Sequence, residues 1–226
     1  LFDATSGGSA VAADGTVARL EDKSGNNLHF TQSTSANRPV RKTSVKNGLD
    51  VLRFDGTDDY LDSSVGFSSL FTSTKTTCFI VAKAATASTN SAFVYENEML
   101  LSEDQDGHGF FVVKTDDTVG SFGYSVSNDP RWRLASDSYT PGDWIVLSTW
   151  HDGTTLSVAV NGGTEQSISL STRSFLGVAR MGANHYASSP AFFDGDVGEI
   201  ITYNETLTAQ ARADVESWLM SKWAIT

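Results

Sequence analysis

The stretch Ala191–Trp223 restricts the fold more than any other part of the chain. Val197, Ile200, Ile201 and Tyr203 give its first half the composition of a strand. Thr208 then stands where a helix N-cap belongs, because its hydroxyl can accept from a free amide of the first turn. Beyond it Ala211, Val215, Trp218, Leu219 and Lys222–Trp223 keep the spacing of one helix face. This predicts a helix over 208–223 with Trp218 and Leu219 buried on its apolar stripe. Such a helix needs apolar ground, and in a strand-rich chain that ground is the outside or edge of a sheet.

Ser, Thr, Gly and Asp are plentiful and no helical run precedes residue 208, so the 226 residues read as a single β-sandwich domain, 1–226. No apolar run reaches the ~18 residues of a membrane span, which predicts no membrane insertion. The sequence lacks an initiating Met and a signal pattern, and it reads as a mature form or an excised domain of a larger multidomain protein. A formal charge of −11 argues against nucleic acid, whose phosphates this surface would repel. Cys78, the one cysteine, excludes an internal disulfide and reads as a buried thiol.

Along the chain, residues 76–84 form a near-continuous apolar run, the mark of a core strand. Thr155–Val160 alternates and meets Asn161-Gly162, a hairpin turn signal, so Leu156, Val158 and Val160 share the inward face and Ser157 and Ala159 point outward. Asp55-Gly56-Thr57-Asp58-Asp59 reads as an Asx-turn before Tyr60-Leu61. Arg38–Lys42 reads as a solvated basic loop, and 125–143 as a long loop carrying Arg131-Trp132-Arg133.

Four segments in order, EDKSGNNLHFTQ (21–32), LRFDGTDDYLD (52–62), DWIVLSTWHDGTTLSVAVNG (143–162) and FDGDVGEIITYNETLTAQARADVESWLMSKW (193–223), resemble the concanavalin A-like, laminin-G-like jelly-roll domains. The resemblance spans nearly the whole chain. It implies an all-β fold: an antiparallel β-sandwich of jelly-roll topology with one C-terminal α-helix packed on it. The fold hosts lectins, adhesins, receptor modules and glycanases, so the chemistry must come from the residues.

Catalytic signatures are missing: no Gly-x-Ser-x-Gly, no His-Glu-x-x-His, no phosphate-binding glycine loop, and four scattered histidines, His29, His108, His151 and His185. Glu96 and Glu98 would share a strand face at a spacing a retaining glycosidase could use. They lack the central Asp and distal Glu of the superfamily's glycanase strand, so no enzyme activity is expected. Tyr95–Leu101 resembles the strand that supplies an acid and an amide to calcium in pentraxin-type jelly rolls, which implies Glu96 and Asn97 as ligands with Asn184 as partner across the rim. The loop 182–190 holds no carboxylate, so a single weaker calcium site or none is expected rather than two. Asp104 and Asp106, in an Asp-x-Asp-Gly turn, are further calcium candidates. For a sugar, an aromatic face with planar hydrogen-bonding neighbours is the useful combination. Arg131 with Trp132, and Asn184, His185 and Tyr186, have that composition.

The expectation is a non-catalytic, lectin-like module that binds cell-surface or extracellular glycans, possible calcium included. It would belong to an exported bacterial adhesin at the cell surface or to a virion tail fibre. The alternatives are a glycan-cleaving enzyme using Glu96 and Glu98, and a structural or protein-binding module.

Overall fold

A computed structural model describes residues 11–66, 75–85, 98–103, 108–113, 119–124, 130–134, 139–170, 178–184 and 191–226. Two antiparallel sheets face each other as a sandwich. The eight-stranded sheet runs, in spatial order, β1 (Arg19–Leu20), β2 (Phe30–Thr31), β5 (Leu61–Gly66), β14 (Val178–Met181), β7 (Glu98–Glu103), β8 (His108–Val113), β9 (Val119–Tyr124) and β10 (Pro130–Leu134). The seven-stranded sheet runs β13 (Gln166–Ser169), β12 (Thr155–Val160), β11 (Ile145–Asp152), β6 (Lys75–Ala84), β15 (Asp194–Tyr203), β4 (Leu49–Asp55) and β3 (Val40–Lys46). One α-helix among the described residues, α1 (Ala209–Trp223), closes the chain.

The core between the sheets holds Leu52, Phe54, Leu61, Ile80, Leu147, Met181 and Phe193. A second apolar layer lies on the outer face of the seven-stranded sheet, where Val51, Phe79, Val81 and Val146 meet Leu219, Trp223 and Ile225. β6 is therefore covered on both faces, which is why its sequence is apolar without alternation. Burying each of these large side chains stabilises the fold by about 1.5–3 kcal/mol.

α1 starts at the expected cap: the Thr208 hydroxyl accepts from the Ala211 amide at 3.2 Å. It stops where Ala224 turns left-handed (φ 48°) and the Ile225 amide bonds back to the Met220 carbonyl at 2.9 Å. The buried side departs from the predicted stripe at Trp218. Trp218 is 50 % exposed, with the Lys222 ammonium 4.7 Å from its ring centre. Leu219 and Trp223 are buried as expected, and Glu216 is buried with them. The Arg212 guanidinium lies over the Trp150 ring at 3.9 Å.

Three other expectations change. Pro130–Leu134 is a strand, paired with β9, rather than part of a long loop. Ser157 and Ala159 are buried although they belong to the outward set of β12, and the Ser157 hydroxyl bonds that of Ser167 at 2.7 Å. The basic segment opens β3, where Arg41 pairs with Asp50 and Lys42 with Asp14, so it is an edge strand rather than a solvated loop.

One glycine deserves a reason. β15 shifts register against β6 between Val197 and Glu199, which makes Gly198 the extra residue of a bulge. A Cβ at Gly198 would lie 2.7 Å from Cη2 of Trp223, so the bulge seats the indole. The Trp223 Nε1 then donates to Glu199 Oε2 at 3.0 Å, and the same oxygen accepts from Lys222 Nζ at 2.6 Å.

Candidate functional site

The turn after β4 and the chain leaving β14 meet at one end of the sandwich. Asp55 Oδ1 accepts from the amides of Thr57 (2.8 Å) and Asp58 (3.3 Å), the predicted Asx-turn. Asp59 Oδ2 accepts from the Asp55 amide at 3.2 Å. The carboxylates of Asp55, Asp58 and Asp59 come within 4.8 Å of one another. Burial, with the Asp55 charge behind it, pushes the Asp59 carboxyl up to about 6. Gly182 (φ 91°) runs directly above: any Cβ there would overlap the Phe54 ring.

Next to this turn, β5 and β14 pair with Asp62 opposite Arg180 and Leu61 opposite Met181. Ala179 and Met181 enter the core, so Arg180 points out of the sandwich. Its guanidinium grips Asp62 through Nε (2.8 Å) and Nη2 (3.0 Å) and lies 4.0 Å from the centre of the Tyr60 ring. The result is a planar cation held flat on an aromatic face beside a carboxylate. Gln32, whose Nε2 donates to the Tyr60 carbonyl at 3.2 Å, ties β2 to the same corner. Planar donors and acceptors of this kind can bond two neighbouring hydroxyls of a ring.

Asn184 lies beside this corner and is buried. Its amide donates to the Ala191 carbonyl and its side-chain oxygen accepts from the Ala191 amide, both at 3.0 Å. It braces the chain returning to β15. It is the one member of the expected calcium set whose side chain is described. Glu96, Asn97, Asp104, Asp106, His185 and Tyr186 lie outside the described residues. Glu98 is the first residue of β7.

Arg131 and Trp132 are placed by their backbone on β10, opposite Gly123 and Phe122. β10 is the edge strand and stands four strands from β14, about 19 Å across the sheet, so the two expected sugar-binding groups do not share adjoining strands. Tyr60, Asp62 and Arg180 were not singled out from the sequence. Tyr60 and Asp62 sit inside the LRFDGTDDYLD segment that carried the resemblance, but Arg180 is 118 residues from its partner. No local pattern marks it.

No protein family matches the sequence, and no curated protein does. Solved structures do. The binding domain of Paraclostridial Mosquitocidal Protein 1 superposes with TM-score 0.68 at 11 % identity, over 90 % of this chain and 52 % of that one. The botulinum neurotoxin serotype D ligand-binding domain, solved with N-acetylneuraminic acid, gives 0.57 at 11 % identity, over 92 % and 53 %. The botulinum neurotoxin DC binding domain, solved with rat synaptotagmin II, gives 0.60 at 9 % identity, over 90 % and 51 %. The chain thus spans about half the length of each, and at such identities the likeness is one of fold. No helix among the described residues is long and apolar enough to cross a membrane.

Proposed function

We propose that this chain is a non-catalytic carbohydrate-binding module of laminin-G-like, concanavalin A-like type, carried by an exported protein such as an adhesin or a tail fibre. The observation that supports it most is the Tyr60–Arg180–Asp62 array at the end of the sandwich, where a rigid pair of strands presents an aromatic ring, a guanidinium and a carboxylate together. The sandwich it shares with toxin binding domains, two of them solved with a sialic acid and with a protein receptor, agrees with a recognition role. A single sugar should bind on the order of millimolar, and useful adhesion would come from many copies. Arg131, Trp132, His185 and Tyr186 are candidates for extending the contact. Calcium, held by Glu96, Asn97 and Asn184 with Asp104 and Asp106 as further candidates, is the finer part of the reading and predicts chelator-sensitive binding. The alternative of hydrolysis by Glu96 and Glu98 predicts reducing-end release, which this reading does not.

Glycan-array binding followed by calorimetry tests the proposal. Removing a charge-assisted contact predicts that Arg180→Ala weakens the selected glycan about tenfold or more, with Tyr60→Ala close behind. Binding that survives both substitutions would put the site elsewhere, and no binding to any glycan would reject the reading.

A further inference from the structure

β15 is paired on both sides only at its start. Asp194–Val197 pairs with Asp55–Leu52 of β4, and the register with β4 ends there. The β6 pairing continues to Tyr203. Alternation fixes which groups are left over. The amide and carbonyl of Ala84 are taken by the Tyr139 hydroxyl and the Gly142 amide on the side away from β15. Val81, Phe79 and Thr77, an odd number of residues from Ala84, therefore face β15 and bond Glu199, Ile201 and Tyr203. The N–H and C=O groups of Ile200 and Thr202 point the other way and meet no partner among the described residues.

They point into a cleft of about 330 Å³. Six consecutive residues, Val197–Thr202, line it. Because side chains alternate, a cavity that touches all six must run along the strand's edge. Its apolar wall is Leu28, Phe30, Leu101 and Met181. Its lip is the segment after β1, held rigid by Asp22, which accepts from the Ser24 amide (2.8 Å), the Ser24 hydroxyl (2.8 Å) and the Leu28 amide (3.2 Å). The charged residues that line it are Glu21, Asp22, Lys23 and Glu199; Lys23 and Arg19 pair with Glu21 and Lys222 with Glu199, while Asp22 accepts only from amides and a hydroxyl in the bonds given above.

We propose that the outer edge of Glu199–Tyr203 is a docking site for an extended segment of another polypeptide, which adds as an antiparallel strand with apolar side chains in the cleft and lysines or arginines between them. An open strand edge bonds whatever offers an N–H and a C=O from the same residue, and an extended peptide does this at every second position. The lip covers the edge, so a single strand fits where a second folded copy of this domain does not. The charge follows from the Asp22 carboxylate in the lip and from the chain's formal net charge of −11. The edge from Glu199 to Tyr203 is about 13 Å long, enough for about four residues.

The test uses a labelled ten-residue peptide of alternating valine and lysine, read by fluorescence anisotropy. Ile200 points its side chain into the core, so the antiparallel partner facing it also points inward and turns its N–H to β15. N-methylation of the valines should then weaken binding by about tenfold or more, and N-methylation of the lysines by less than about twofold. Thr202→Pro, which removes one cleft-facing N–H and leaves the β6 ladder intact, should weaken the unmodified peptide with the far-UV spectrum unchanged. No binding, equal loss in both N-methyl series, or displacement of the peptide by a glycan that this chain binds would each overturn the proposal.

Discussion

The two halves of β15 are built from similar residues and held in different ways. In the first half Asp196, almost fully buried, takes Arg53 of β4 (2.6 and 2.9 Å) and Lys83 of β6 (3.1 Å), so the strand is stitched to both neighbours. In the second half the corresponding acid, Glu199, is held by Lys222 and Trp223 of α1 instead. One inserted glycine separates the two regimes. It lets Trp223 press on the sheet, stacked against Trp144 at 5.8 Å, and the strand beyond it loses its second partner. A single bulge thus turns a fully paired core strand into an open edge, and the helix stabilises the part that the sheet releases.

The largest break in that comparison is Trp223→Ala. It empties the bulge and should cost about 3–5 kcal/mol, read as a fall in the urea midpoint, whereas Trp218→Ala, one turn away on the exposed side, should change stability by less than about 0.5 kcal/mol. Equal effects would mean that the helix does not rest on the sheet as described.

A smaller effect sharpens the paired half. Asp55 and Asp194 stand opposite each other at the start of β15, beside the crowded acidic turn. Asp59 has a folded-state value of about 6, above the ordinary carboxylate range near 3.9. Its contribution is therefore full below pH 4 and is lost as pH rises through 4 to 6, by up to about 3 kcal/mol. Asp22, Asp50 and Asp152 work in the opposite sense. In Asp22 and Asp152 burial pushes the carboxyl up, but hydrogen bonds from Ser24, Leu28 and Asn26, and from Thr154 and Thr155, outweigh it; in Asp50 the bond from Arg41 leads. Their stabilisation is present above pH 4 and lost below it. Comparing melting of Asp59→Asn with the parent at pH 4 and pH 7 isolates the rising limb: the variant should gain on the parent only at the higher pH.

What the sequence made legible was local. The Thr208 cap, the apolar run of β6 and the Asx-turn at Asp55 each follow from neighbours within a few residues, and each stands where expected. The helix face was legible at Leu219 and Trp223 and misread at Trp218. The positions facing the sheet include Arg212 and Glu216, one stacked on Trp150 and the other buried above the sheet, so the rest of the stripe was hidden behind two charged residues. Trp218 looked apolar and faces solvent. The candidate site was less legible still. Arg180 gains its meaning from Asp62 and Tyr60, which strand pairing brings to it from far along the chain. The open edge of β15 depends on where β4 stops following it, which no pattern in either strand announces.

Amide hydrogen exchange across β15, resolved residue by residue in the unliganded protein, tests the split strand most directly. The alternation predicts that Gly195 and Val197, bonded to β4, and Glu199 and Ile201, bonded to β6, exchange slowly, and that Ile200 and Thr202 exchange fast. Ile200 and Thr202 protected as well as Val197 would contradict the account, because the outer edge of β15 would then be paired along its whole length.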